Sequence, residues 1–193
     1  MWMAEERSVY DVLHDAVYDA IVVALGLTDT QAGKMVRFTN PIGESQPFED
    51  FSPEENRCYI RLGSATLGGV GMVDRAYRVV PADVENETPE KFMKDISMLD
   101  AVTAFFVFYG PDAVTNAERA LVFLREDEAR ERLARDDLAV VPRIPMPNWL
   151  PELVNGRWHN RCDIEVQMYR RVKHSVETGA MEDAPEIIIK RSV

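Results

Sequence analysis

A cluster of four glycines between positions 63 and 71 is the first pattern that could do chemistry, because glycine-rich turns cradle phosphate groups. A P-loop needs Lys and then Ser or Thr directly after its last glycine, whereas Gly69 and Val70 follow Gly68 here. A dinucleotide-binding turn needs a third glycine at the position that Asp74 occupies. The cluster therefore predicts a flexible hairpin tip and no nucleotide site.

His159 and Cys162 are spaced as metal ligands often are, but a structural zinc site needs four ligands and the sequence offers no second pair. The other cysteine, Cys58, is distant in sequence. Two scattered cysteines favour small buried side chains in a reducing compartment, although one disulfide stays open. Three aspartates spaced four residues apart near the N-terminus, and the acidic run at 126–128, are typical of solvated helix faces. We therefore expect no catalytic residue, no metal site and no cofactor.

The remaining candidate functional residues are four arginines and one tryptophan, and the role considered for them is contact at an interface. Four arginines give a C-terminal strand a basic outer side: Arg157, Arg161, Arg170 and Arg171. They pair either with the acidic N-terminal half of the same copy or with a second copy, and the sequence leaves both open. The stretch 142–151 contains four prolines, so it must run extended over the surface. Because Trp149 is an aromatic anchor of the kind that interfaces favour, this stretch is either a plain surface loop or a docking arm.

The charge of the chain excludes most nucleic-acid-binding proteins. Its 193 residues carry 33 acidic and 22 basic side chains, a net charge of −11. Such a chain should repel DNA, although it could line a passage through which DNA slides. The N-terminus has no signal-peptide pattern, and no apolar run approaches the ~20 residues of a membrane helix. We expect a protein of the cytoplasm that binds no membrane.

Hydrophobic periodicity predicts the elements that position these residues. A stripe at spacings of three and four predicts a helix at about 5–25, and another predicts a single helix over 112–135. The apolar run at 97–109 predicts a central strand covered on both faces. Other strands are predicted at 34–38, 58–62, 70–80, 138–141, 157–173 and 186–191. Loops are predicted at 28–56 and 174–185, and a loop or one short turn of helix at 82–96.

These elements do not alternate regularly, which predicts an α+β fold. We expect a mainly antiparallel sheet of about five to seven strands with two main helices packed on it. The length fits a single domain over residues 1–193, with possible interface loops at 28–56 and 142–156.

Three short motifs, taken in their order along the chain, resemble the motifs of a known protein family. The run Phe105-Phe-Val-Phe-Tyr-Gly-Pro-Asp-Ala113 leads into a helix, Pro142-Arg-Ile-Pro145 follows, and Trp158-His-Asn-Arg-Cys-Asp-Ile-Glu-Val166 comes last. This order resembles the neck or tail-terminator proteins of tailed bacteriophages. In that family an apolar strand ending in Tyr-Gly enters a helix, and a later strand has the pattern Arg-x-Asp-Leu-Glu-Val. The resemblance covers about residues 57–173.

The resemblance implies a virion structural protein, a subunit of a homomeric ring at the neck or the tail terminator. It implies head–tail joining, a hexamer as the expected ring, and contacts with neighbouring connector, tail tube or sheath proteins. DNA would pass without adhering, and assembly would occur in the host cytoplasm. No catalytic residue carries over. Two alternatives remain: a small-molecule-binding domain or unrecognised enzyme, which needs a deep pocket, and an adaptor or immunity-type protein with a basic partner.

Overall fold

The computed structural model describes residues 9–38, 52–64, 73–81, 91–154 and 156–178, and the fold is given for these. They form four helices and nine strands. The helices are α1 (Val9–Leu25), α2 (Asp29–Met35), α3 (Ala113–Arg125) and α4 (Asp127–Ala134). The strands are β1 (Val36–Phe38), β2 (Arg57–Ser64), β3 (Val73–Val80), β4 (Lys91–Tyr109), β5 (Leu138–Val140), β6 (Asn148–Trp149), β7 (Glu152–Val154), β8 (Arg157–His159) and β9 (Arg161–Thr178). No described helix is both long and apolar enough to span a membrane.

Seven strands form one sheet in the order β1-β2-β4-β9-β5, with β3 also paired to β4 and β6 to β9. The strands β7 and β8 form a separate hairpin. β1 and β2 are parallel, whereas β2 and β3 pair antiparallel with β4, and β5 and β6 pair antiparallel with β9. The predicted α+β fold with a mainly antiparallel sheet is confirmed, with four described helices where two main ones were expected.

The chain forms two compact units. Unit 1 contains residues 1–70 and 99–171, and unit 2 contains residues 71–98 and 172–193. The long strands β4 and β9 contribute residues to both units. The prediction of a single domain over residues 1–193 stays a prediction.

The core of unit 1 lies between its sheet and the three helices α1, α3 and α4. Alternation along the strands turns every second side chain toward the helices, and these are almost fully buried. Examples are Ile60 on β2, Phe106 on β4 and Val166 on β9. Burial of each such large side chain contributes ~1.5–3 kcal/mol to the free energy of unfolding. The helices meet this surface with Ile21 of α1 and with the buried alanines Ala113, Ala117 and Ala120 of α3.

The first helix ends where the sequence predicts. Gly26 adopts a φ of +63°, which favours glycine. Its N–H donates to the carbonyl of Val23 at 3.0 Å, and the N–H of Leu27 donates to that of Val22 at 3.0 Å. These bonds satisfy carbonyls that the helix end would leave unpaired. The predicted start at residue 5 lies outside the described residues.

The prediction of one continuous helix over 112–135 is wrong. Glu126 is extended, with φ −77° and ψ 155°, and it separates α3 from α4. Its N–H still bonds the carbonyl of Phe123 at 2.9 Å, so α3 closes with a tight last turn. After the break, α4 buries Ala129 and Leu133. Because the chain bends at Glu126, α4 can bury an apolar face of its own. The many charged residues of this stretch hide that face in the sequence.

The loop predicted at 28–56 is wrong over residues 29–35, which form α2, whereas the strand predicted at 34–38 is found as β1 over Val36–Phe38. A capping box starts α2: the side-chain carbonyl of Gln31 accepts the backbone N–H of Thr28 at 3.0 Å. The spacing of Thr28 and Gln31 is the sequence signal that locates this helix. Residues 39–51 of the predicted interface loop lie outside the described residues.

Both long strands overrun their predicted limits. Residues 91–96 were expected to form a loop and instead begin β4, and residues 174–178 were expected to form a loop and instead end β9. The antiparallel partner β3 supplies backbone hydrogen bonds to residues 91–98, so polar side chains are tolerated there. Asn160 interrupts the predicted strand 157–173. The predicted strand at 186–191 lies outside the described residues.

The turn from β4 into α3 depends on Gly110. Its φ is +104°, and a Cβ atom built there would lie 2.4 Å from the carbonyl oxygen of Glu55 and 2.8 Å from the Cα of Asn56. The Gly110 N–H donates to the carbonyl of Asn160 at 3.1 Å. Next to this turn, the Asn56 side chain donates to Asp112 at 2.9 Å and accepts its backbone N–H at 3.1 Å. Three distant chain segments therefore converge at one glycine.

Candidate docking surfaces

The segment from residue 146 to residue 158, here called the Trp segment, carries five exposed large apolar side chains. Met146, Trp149 and Trp158 are 70%, 60% and 69% exposed, and Leu150 and Leu153 are also exposed. The segment contains β6, β7 and β8, and the proline-rich stretch 142–151 has no helix and contains only the two-residue strand β6. Concentrations of exposed apolar side chains mark protein–protein contact sites.

The hairpin of β7 and β8 sorts its side chains between two faces. Leu153 lies opposite Trp158, and Glu152 lies opposite His159. Leu153 and Trp158 are exposed, whereas His159 is 3% exposed. The His159 ring meets the Tyr109 ring edge-on, with centroids 6.4 Å apart. One face of the hairpin therefore packs on unit 1 while the other presents apolar side chains outward.

A cluster of four polar side chains holds this hairpin in place. We call Tyr109, Glu152, Arg161 and Asp163 the Tyr109 cluster. The Tyr109 hydroxyl donates to Glu152 Oε2 at 2.6 Å, and Arg161 donates to the same oxygen at 2.9 Å. Arg161 also donates two parallel bonds to Asp163, at 2.7 and 2.8 Å. Forked bonds of this kind fix orientation as well as distance.

The protonation states of this cluster suit a clamp and not acid–base chemistry. Burial and the hydrogen bond to Glu152 raise the pKa of Tyr109 above its usual range. The hydrogen bond from Tyr109, aided by Arg161, lowers the pKa of Glu152. The hydrogen bonds to Asp163 raise the pKa of Arg161. Tyr109, Glu152 and Arg161 are thus held in their resting forms at neutral pH, whereas a general acid or base needs a pKa near that pH.

The five residues expected at an interface occupy different environments. Trp149 and Arg157 are exposed in the Trp segment, and Arg171 is exposed on β9. Arg161 is engaged in the Tyr109 cluster, and Arg170 pairs with Asp100 at 2.8 Å with its side chain 16% exposed. The backbone of the Trp segment is joined to that of β9 here, since the N–H of Leu150 donates to the Arg161 carbonyl at 2.8 Å and Trp149 pairs in register with Cys162. Arg170 and Arg171 lie farther along β9, where Arg170 pairs in register with Leu138 of β5.

Sequence reasoning identified Trp149 but missed Trp158 and the cluster beneath it. Tyr109 and Glu152 are 43 positions apart, so no local sequence pattern predicts their hydrogen bond. The signal for Trp158 was available, because a two-residue turn at Asn155-Gly156 predicts a hairpin that places Leu153 and Trp158 on one face. Gly156 has the positive φ, +77°, that such a turn requires.

The sheet face of unit 1 opposite the helices is only partly covered. The prediction that β4 is covered on both faces is wrong at Phe105 and Val107, which are half-buried. The Arg61 guanidinium lies 4.4 Å from the centre of the Phe105 ring. A cation over an aromatic face contributes ~0.5–1 kcal/mol at such exposed sites. This face is more polar than the Trp segment, because exposed Glu165 and Gln167 also lie on it.

Two hollows lined by described residues, of about 480 and 390 Å³, are open depressions on the surface of unit 1. Within the described ranges no three His, Cys, Asp or Glu side chains are grouped to hold a metal ion. Cys58 and Cys162 are buried free thiols, as the sequence indicates, and burial raises the pKa of both.

A family model described as Phage neck terminator protein matches residues 62–191. The chain belongs to this family. The match contains the Tyr109–Gly110 step, the Trp segment and the Arg161–Val166 pattern, so the resemblance found in the sequence is confirmed. No curated protein matches the chain.

Membership makes the chain a phage structural protein of the virion. A neck terminator acts through contacts with other neck and tail proteins. The Trp segment fits that work, because it presents five exposed large apolar side chains and its β7–β8 hairpin is held by the Tyr109 cluster.

Proposed function

We propose that the chain is the subunit of a homomeric ring, with six copies, that closes the phage neck and joins head to tail. Its neighbours would be connector, tail tube or sheath proteins, and assembly would take place in the host cytoplasm. The single observation that carries the proposal is the Trp segment of a neck terminator protein, in which Trp149 on β6 and Trp158 on the clamped β7–β8 hairpin are each more than half exposed.

The geometry of the Trp segment supports a docking role. Tryptophan supplies a large contact area, and tryptophans are frequent among the residues that dominate binding energy at interfaces. The Tyr109 cluster fixes the hairpin before binding, so little ordering entropy is lost when a partner arrives. Arg157 lies next to Trp158 and is exposed, which suits an acidic partner surface. We propose Trp149, Trp158 and Arg157 as contacts with a neighbouring subunit or neck protein.

The charge of the chain supports passage of DNA without adhesion. Protein–DNA affinity depends on neutralising phosphates with Lys and Arg, and this chain has a net charge of −11. A ring of such subunits would repel the duplex that it encircles. DNA could then move through the neck during packaging and ejection without a strong binding site to leave.

The test removes the two anchors together. A Trp149→Ala/Trp158→Ala variant should fold but lose assembly into virions or onto a purified tail tube, as seen by negative-stain imaging. The matched control is Val114→Ala, which trims another exposed apolar side chain of unit 1 outside the Trp segment. Normal assembly of the double variant would contradict the proposed role of the Trp segment.

A further inference from the structure

Unit 2 contains a small sheet without a described core. Its described part consists of β3, residues 91–98 of β4 and residues 172–178 of β9. Every side chain of these strands whose burial is described is half-buried or exposed. A three-stranded sheet is stable when one face packs on something apolar.

Register and ion pairs assign the side chains to the faces. Arg75 pairs with Ile96, Tyr77 with Lys94 and Val79 with Phe92, and each pair shares one face of the antiparallel ladder. Asp95 and Lys91 of β4 lie on the opposite face. On β9, Ser175 donates a hydrogen bond to Asp95 and Glu177 forms an ion pair with Lys91, so Ser175 and Glu177 also lie on that opposite face. Alternation then places Val176 with Phe92 and Lys94.

We call the face with Tyr77, Val79, Phe92 and Val176 the arm face. Tyr77 and Val79 are 71% and 53% exposed, and Phe92 and Val176 are 39% and 49% exposed. The opposite face is solvated and ion-paired, with Arg78 on Asp95 at 2.7 Å and Lys91 on Glu177 at 2.9 Å. The asymmetry is that of a sheet whose apolar face contacts another molecule.

The charges on the arm face indicate what covers it. Its charged side chains on the described strands are Arg75 and Lys94, with His174 placed there by alternation, and no carboxylate accompanies them. The whole chain has a net charge of −11, so the rest of a second copy is strongly acidic. A second copy is thus an electrostatic complement to this face.

Unit 1 carries a groove with the matching chemistry. It lies between α1 and α3, has a volume of about 390 Å³, and is lined in part by Ala24, Val122 and Phe123. Val122 is 56% exposed. The carboxylates of Glu118 and Glu126 also line the groove, against the one guanidinium of Arg119. An apolar floor with surplus negative charge complements an apolar face with positive charge.

We propose that the arm face of one copy docks into the α1–α3 groove of a second copy. Tyr77 and Phe92 cover Val122, and Arg75 and Lys94 approach Glu118 and Glu126. The two surfaces differ, so the contact is heterologous, and repetition by rotation closes a ring. The inference rests on the proposed ring function and names the contact that builds it.

The first test compares two matched variants for self-association by analytical ultracentrifugation. Arg75→Gln/Lys94→Gln removes two positive charges from the arm face and should weaken self-association at least about tenfold, as loss of interfacial charge pairs does. Arg78→Gln/Lys91→Gln removes the same charge from the opposite face and should leave self-association unchanged. Equal effects of the two variants, or no effect of the first, would overturn the inference.

A charge exchange gives the second test. Arg75→Glu/Lys94→Glu should leave a folded monomer by circular dichroism and sedimentation. Adding Glu118→Lys/Glu126→Lys to the same chain should restore the assembly. A wild-type ring with no such rescue overturns this contact and leaves the proposed ring standing. A wild-type chain that stays monomeric with and without tail tube protein overturns both.

Discussion

At the scale of single residues, the structure around Gly110 explains why glycine follows Tyr109 in this chain. At Gly110 the strand β4 has ended and the turn into α3 begins. Two other segments, at residues 55–56 and at Asn160, approach the same glycine. Only glycine combines a φ of +104° with room for the Glu55 carbonyl at 2.4 Å from where a Cβ would stand. The step is therefore set by packing, and it positions Tyr109 immediately before it.

Gly110→Ala should lower the free energy of unfolding by about 2–4 kcal/mol, because it adds backbone strain and displaces the segment at residues 55–56. Gly26→Ala is the matched control, since Gly26 also has a positive φ but nothing lies within 4 Å of its Cβ position. That control should cost only about 1 kcal/mol. Urea denaturation measures both, and equal losses would contradict a role for close approach.

The carboxylate of Glu152 makes the stability of the protein depend on pH. Its folded pKa lies below the ordinary value, chiefly because of the Tyr109 hydrogen bond. The stability that it contributes is present above the unfolded pKa and is lost as pH falls through the folded pKa. Tyr109→Phe removes the largest cause, so the pKa of Glu152 should rise toward its ordinary value of 4.5. Carboxyl NMR titration measures this, with Tyr169→Phe as the control; an unchanged Glu152 pKa would refute the clamp.

At the scale of elements, β4 shows how alternation divides one strand between core and surface. Phe106 is 1% exposed and faces the helices, whereas its neighbour Phe105 is half-buried under Arg61. The residues are identical in type and adjacent in sequence. Their contributions to the free energy of unfolding differ because the two side chains lie on opposite faces of the sheet.

Phe106→Ala should therefore lower the free energy of unfolding by ~3–5 kcal/mol, because it removes a buried ring and leaves a cavity. Phe105→Ala should cost about 1 kcal/mol, the order of one exposed cation–π contact with some packing. Thermal and urea unfolding of the two variants measure the difference. A larger loss for Phe105→Ala would contradict the assignment of faces.

Elements with a strong internal period could be predicted from the sequence, and those defined by distant partners could not. The end of α1 at Gly26 and the alternation of residues 162–168 follow from local patterns. The break at Glu126 and the extension of β4 to Lys91 depend on burial of α4 and on pairing with β3. The candidate site divides in the same way: Trp149 stands out by composition, while the bond from Tyr109 to Glu152 requires the folded chain.

At the scale of the whole molecule, its work is contact between surfaces. The family is that of phage neck terminator proteins, and the described residues present an exposed Trp segment and an apolar arm face. Each lies on a framework fixed by hydrogen bonds or ion pairs. In the proposed ring, the net charge of −11 on each chain would also repel DNA.

Native mass, measured by light scattering coupled to size exclusion, tests the proposed ring most directly. Six copies of the 22.0 kDa chain give about 132 kDa. We predict a discrete particle of that mass, formed by the chain alone or on addition of tail tube protein. A mass of 22.0 kDa at every concentration, with and without that partner, would contradict the account.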